Sequence, residues 1–179
     1  KLVVVTKDLD LLDDKMNYNG LWWEKYRPKS LDTIVLSDDI KKLFSFYKSQ
    51  REIPHLLFVG SPGVGKTTIA KIIVNEILKC DYLYINASDE NGIDTIRNKV
   101  ISFAQTKSFD GGIKVVILDE TDSSTPENSR ALRNVMEEYS DTTRFILTAN
   151  YKHRIIPALQ SRCESIDLNH NIKDVAKFC

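Results

Sequence analysis

Apolar residues follow two rhythms along this chain. Continuous apolar blocks end in small or polar residues: HLLFVG (55–60), YLYINAS (82–88), IKVVILDE (113–120) and RFILTAN (144–150); ESIDL (164–168) reads as a further short strand. Blocks of this length with no polar alternation fit strands buried on both faces, the condition of a parallel sheet. Between them, DIKKLFSFYKSQ, KTTIAKIIVNEILK, DTIRNKVISFAQT and PENSRALRNVMEEYS carry apolar residues at helical spacing. Ile69, Ile72, Ile73 and Ile77 recur at intervals of three and four, which is one helical face. Strand and helix alternate, so the expected fold class is α/β, a three-layer sandwich around a five-stranded parallel sheet with its site at the carboxyl ends of the strands.

Composition narrows the function without naming it. At 179 residues, with 42% hydrophobic and 28% charged residues, the chain suits one domain with a real core. No apolar run approaches the roughly 20 residues of a membrane span, so no membrane contact is expected, and the default is a soluble intracellular protein. Lys and Arg number 25, as do Asp and Glu. Any grip on nucleic acid must then be local, because the whole-molecule field is neutral. Cys80, Cys163 and Cys179 lack a C-x-x-C pairing, which speaks against a disulfide framework or a structural zinc site.

The chemistry begins at GSPGVGKTT, comprising Gly60, Ser61, Pro62, Gly63, Val64, Gly65, Lys66, Thr67 and Thr68. It satisfies G-x-x-x-x-G-K-[ST] between a strand and a helix, the context in which backbone amides cradle phosphates. Lys66 then reaches the outer phosphates and Thr67 ligates magnesium. VVILDE ends the third strand in two acids. Asp119 is placed to hold the Mg²⁺ shell and Glu120 to orient or deprotonate the attacking water. Asn150, at the tip of LTAN, either presents its amide to that water or the terminal phosphate, or simply forms a turn. Arg162 stands in PALQSRCE with a permanent charge and a donor fork suited to phosphate. Its bland alternative is a pair with a local carboxylate such as Glu164.

WWEKYRPKSLDTIV, GSPGVGKTT, INASDENGID, VVILDETD, LTAN and LQSRC, in this order, resemble the ATPase domain of sliding-clamp loader subunits of the AAA+ superfamily. The resemblance covers 21 to about 170 and includes replication factor C small subunits. SFDGGIKVVILDE, EEYS, LTAN and LQSRC lean towards the large subunit of a T-even-type phage loader. It implies a Mg²⁺-dependent ATPase, with ATP and Mg²⁺ as ligands, working in a hetero-oligomeric ring or spiral that opens a sliding clamp and places it on primer-template DNA. It implies a cytoplasmic location, in the host cytoplasm for a phage protein and in the nucleus for a eukaryotic one.

In that family the arginine of SRC completes the ATP site of the adjacent subunit, so the resemblance makes Arg162 catalytic in trans and gives it no partner in its own chain. Lys25, Tyr26, Arg27 and Pro28 match the KYRP segment that lies over adenine and ribose, and Val35 lines the same pocket; core packing is the alternative for Tyr26. Asn86 matches a polar residue that holds the catalytic glutamate in an inactive pose, or else forms a turn. DNA contact is expected at two helix starts, near Ile93 to Arg97 and Thr125 to Arg130, with Arg97, Arg130 and Arg133 as side chains; a solvated helix face or subunit interface explains each as well. Pro126, in the first turn, leaves free amides for phosphate.

The expected organisation is an amino-terminal arm over 1–20, an AAA+ domain over 21–170, and the start of a truncated lid over 171–179, with lid and collar absent. Two other functions stay open: another AAA+ machine on DNA, such as a helicase loader or branch-migration motor, and a nucleotide-binding scaffold. Intact Lys66, Thr67, Asp119 and Glu120 weigh against the scaffold.

Overall fold

The computed structural model describes residues 4–5, 28, 30–34, 36–88, 93–106 and 112–169. Each apolar block becomes a strand: β2 (Leu56–Val59), β3 (Tyr82–Asn86), β4 (Lys114–Asp119), β5 (Thr143–Ala149) and β6 (Glu164–Asp167). These five pair in parallel in the order β3-β4-β5-β2-β6. A sixth strand, β1 (Val4–Val5), pairs antiparallel with the β3 edge, Val4 opposite Leu83 and Val5 opposite Tyr82. Two residues of the expected arm therefore belong to the sheet. So short a pairing carries too little hydrophobic pattern to be read from sequence.

Helices cover both faces. On one lie α1 (Asp38–Gln50), capped by Ser37, and α2 (Lys66–Ile72), which continues in wider π-type turns over Ile73–Leu78. On the other lie α3 (Ile93–Gln105), α4 (Pro126–Glu138) and the short α5 (Pro157–Gln160). Alternate strand residues feed two cores, as the pleat requires. Leu56, Phe58, Val115, Ile117 and Ile146 pack with Ile69, Ile72, Ile73 and Ile77. Leu57, Val59, Val116, Leu118, Phe145 and Leu147 pack with Ile96, Val100, Leu132, Val135 and Met136. The continuous apolar runs were the sign of this double burial. Phe44 of α1 meets Phe58 edge-on at 6.3 Å, an aromatic geometry that adds to its area burial.

Several polar groups inside the fold have clear partners. Lys114 is 4% exposed at the start of β4, and its ammonium donates to the carbonyls of Phe103 (2.7 Å) and Thr106 at the carboxyl end of α3. A cation there complements the helix dipole. Phe145 donates its amide to His55 Nδ1 at 3.1 Å. Burial and the nearby Arg144 guanidinium push the His55 imidazole down to about 4, so the ring that accepts this bond is neutral. Cys80 and Cys163 form no disulfide, and burial pushes the Cys163 thiol up to about 12. Among the described residues no helix is long and apolar enough to cross a membrane.

Register aligns the strand ends. Val59 lies opposite Ala149 and Asp167, and Asn86 opposite Asp119. The loops after β2, β3, β4 and β5 therefore open on one edge. The chain passes from β2 across to β3 and later returns beside β2 with β5, so the strand order switches between β2 and β5, where open α/β sheets bind ligands.

Candidate nucleotide site

The loop between β2 and α2 turns on two glycines. Gly63 and Gly65 have φ of 84° and 91°, values that side chains with a Cβ rarely adopt. Gly65 is the N-cap of α2, so its turn aims the first amides of that helix at the loop centre. Lys66 is 9% exposed, and its ammonium donates to Gly60 O (2.8 Å), Ser61 O (3.0 Å) and Asn150 Oδ1 (2.7 Å). Burial pulls the Lys66 pKa down, and the carboxylates of Asp119, Asp122 and Glu120 push it back up. The loop lysine and the β5 tip thus meet directly. Asn150 projects into the site rather than only turning the chain. Ser61, Pro62 and Gly63 are exposed along the loop, and Val64, Gly65, Thr67 and Thr68 are half-buried.

Asp119 ends β4, and its carboxylate gathers hydroxyls from three elements. Thr67 of α2 donates at 2.8 Å, Tyr84 of β3 at 2.7 Å, and Thr148 of β5 completes the set. Glu120 follows with φ 55° and ψ 40°, a left-handed conformation uncommon outside glycine, and its side chain is exposed. Mg²⁺ is usually held by one or two protein oxygens together with substrate phosphates and water. The Thr67 hydroxyl and the Asp119 carboxylate, already in contact and beside the phosphate loop, fit that demand.

Four further residues shape the site without standing in any expected motif role. Asp122 accepts the amides of Asn150 (3.1 Å) and Tyr151 (3.2 Å), fixing the loop after β5. Asn169, beyond β6, accepts the Ser61 amide (2.9 Å) and hydroxyl (3.0 Å) through Oδ1. Thr148 and Tyr84 hold Asp119. Of these, only Asp122 carried a sequence signal, as the last acid of LDETD.

Arg162 differs from expectation. It lies just beyond α5, and its guanidinium pairs with Glu137 in the last turn of α4 while donating to Ala158 O at 2.8 Å. A partner 25 positions upstream arises because α4 and α5 pack side by side, which local sequence does not reveal. Glu164, the carboxylate nearest in sequence, instead accepts the Tyr47 hydroxyl at 2.6 Å; burial first, and this bond second, raise the Tyr47 pKa.

The remaining candidates divide. Asn86 accepts the Ser88 amide (3.0 Å) and hydroxyl (2.8 Å), closing a local turn beside Asp119. Thr125 caps α4 by accepting the Asn128 amide at 3.3 Å. Arg97 is exposed on α3. Arg130 is exposed and lies 3.8 Å from Glu127, while Arg133 lies 3.4 Å from Glu137. Pro28 is half-buried. Lys25, Tyr26, Arg27 and Val35, and the side chain of Ile93, fall outside the described residues.

A glycine-rich phosphate loop with its lysine, backed by an acidic strand tip at the switch point of a parallel sheet, defines a P-loop nucleoside-triphosphatase domain. Residues 56–169 match the model of the ATPase family associated with various cellular activities, and the chain belongs to that AAA family. It is 46% identical over 169 residues to a replication factor C small subunit of Methanococcus maripaludis (87% of this chain, 54% of the relative). A replication factor C small subunit of Sulfurisphaera tokodaii is 50% identical over 149 residues (79% and 45%). The chain thus spans about half the length of the curated relatives it matches. Among solved structures, the Thermotoga maritima RuvB Holliday junction branch migration motor aligns with TM-score 0.66 and 25% identity over 84% of this chain and 51% of that one.

Proposed function

We propose that this chain is the ATPase domain of a clamp-loader subunit, using ATP binding and hydrolysis within an oligomer to open a sliding clamp and place it on primer-template DNA. The observation that carries this reading is the ordered motif set from KYRP to SRC. Identity of 46–50% to replication factor C small subunits supports it. RuvB shares the fold at 25% identity, so its branch-migration activity is the weaker alternative.

Within the site each side chain has a task. Backbone amides of residues 60–68 and the α2 N-terminus bind the phosphates. Lys66, already aimed at the loop centre, places its charge on the outer ones. Thr67 and Asp119 would hold Mg²⁺, which supplies charge neutralisation between the phosphates. Glu120 takes a proton from the attacking water, and Asn150 orients that water or the terminal phosphate. Arg162 serves the nucleotide of an adjoining subunit. Its ion pair with Glu137 sits on the surface and supports a presented rather than buried guanidinium.

Lys25, Tyr26, Arg27, Pro28 and Val35 complete the base and ribose pocket, and Asn86 acts as a switch on Glu120. Contact with DNA falls to the α3 and α4 starts, through Ile93, Arg97, Thr125, Arg130 and Arg133. The domains follow the boundaries 1–20, 21–170 and 171–179. The working compartment is the cytoplasm, or the nucleus in a eukaryotic setting.

The test is ATP turnover by the full-length protein in its assembly, with and without clamp and primer-template DNA. Stimulation by both supports the loader. Turnover indifferent to the clamp, with movement of branched DNA, supports the branch-migration alternative.

A further inference from the structure

Thr148 is fully buried on the face of β5 that also carries Ile146 and packs against Phe58. A hydroxyl in such a place costs stability unless it is bonded, and valine would fill the same space without that cost. Both of its bonds go to the acidic pair. Its Oγ1 donates to Asp119 Oδ1 and accepts the Glu120 amide at 3.0 Å. The direction follows from chemistry: a carboxylate offers no proton, so the single hydroxyl proton points to Asp119 and a lone pair is left for the amide. Glu120 leaves that bonded peptide in the left-handed region, a conformation that persists where neighbours fix it.

We infer that Thr148 is a positioning residue that locks the spacing of the two acids, tying the metal-holding carboxylate and the backbone of the water-activating glutamate to one hydroxyl. This rests on the roles proposed above for Asp119 and Glu120. The hydroxyl acts through them and touches no substrate. Asn150 follows directly on the end of β5, two residues beyond Thr148, so one strand end sets three parts of the catalytic arrangement.

The experiment compares Thr148→Val and Thr148→Ser in the full-length assembly. Thr148→Val lowers kcat about tenfold or more while KM for ATP at saturating Mg²⁺ changes little, as expected when an outer partner of a metal ligand is lost. Thr148→Ser, which keeps the hydroxyl, retains most turnover. In a second readout free of catalysis, the ADP-loaded protein is titrated with Mg²⁺ and followed by thermal unfolding. The half-saturating Mg²⁺ concentration rises about tenfold for Thr148→Val and stays near wild type for Thr148→Ser. Wild-type kcat and Mg²⁺ response in Thr148→Val would overturn the inference, as would equal losses in both variants. Full turnover by Glu120→Gln would instead overturn the assignment of the acids, and this inference with it.

Discussion

Arg162 and Glu137 join α5 to α4 through a guanidinium–carboxylate contact across 25 positions of sequence. Both side chains keep about a third or more of their surface in solvent, at 34% and 41%. A pair that exposed contributes about 0.2–1 kcal/mol. Replacing Arg162 by Ala should therefore leave thermal stability and ATP affinity of the chain nearly unchanged. Turnover of the assembly should fall by about 10³ to 10⁵, the range for arginines that complete a nucleotide site from outside. Comparing unfolding midpoints with assembly turnover separates the two roles. A large stability loss with intact turnover would make the arginine purely structural.

Lys66 bridges the phosphate loop and the β5 tip through Gly60 O, Ser61 O and Asn150 Oδ1. Lys66→Ala removes the donor for all three oxygens and the charge meant for phosphate. ATP binding by calorimetry should weaken more than tenfold, by about 1.4 kcal/mol or more. Lys66→Arg should restore little, because a planar fork cannot replace a compact ammonium among three converging carbonyls.

Asp122 holds the amides of Asn150 and Tyr151 with one carboxylate oxygen. Bonds to a charged acceptor are worth about 1.5–3 kcal/mol each, less where water reaches them. Asp122→Ala should loosen Asn150 and lower kcat more than it raises KM. Asp122→Asn keeps an acceptor oxygen and should fall in between. Steady-state kinetics of the three proteins in the assembly check the order.

His55 gives the fold a pH dependence. Its imidazole titrates near 4 in the folded protein against 6.5 unfolded, because burial and Arg144 oppose its charge. Between these values the unfolded chain binds the extra proton, so His55 makes stability fall as pH drops from about 6.5 to 4 and contributes its full share above 6.5. His55→Asn retains an acceptor for the Phe145 amide and removes the titration. The wild-type unfolding midpoint should decline more steeply than that of the variant across this window.

The sheet and the heart of the site were legible because each rests on local pattern. Leu56–Val59 and Lys114–Asp119 are apolar without interruption, and that alone marks strands covered on both faces. Lys66, Thr67 and Asp119 stand at fixed offsets from a strand end, so their meeting follows from the parallel sheet. What sequence hid depends on contacts between distant segments. Glu137 reaches Arg162 only because two helices pack together, and Asn169 reaches Ser61 across 108 positions. Thr148 is a β-branched residue inside LTAN, and nothing local marks it out. Its role comes from register, which sets β5 beside β4 and turns the hydroxyl towards Asp119.

The central claim is that one chain supplies the cradle and acids while its neighbour supplies the arginine. Assemblies containing adjacent copies of this subunit allow a direct test by mixing Arg162→Ala protein with Glu120→Gln protein, each inactive alone and each still binding ATP. Random mixing in equal amounts places an intact Glu120 site against an intact Arg162 at about a quarter of the interfaces, and turnover should recover to about that fraction. A mixture that stays as inactive as its parents would contradict the account.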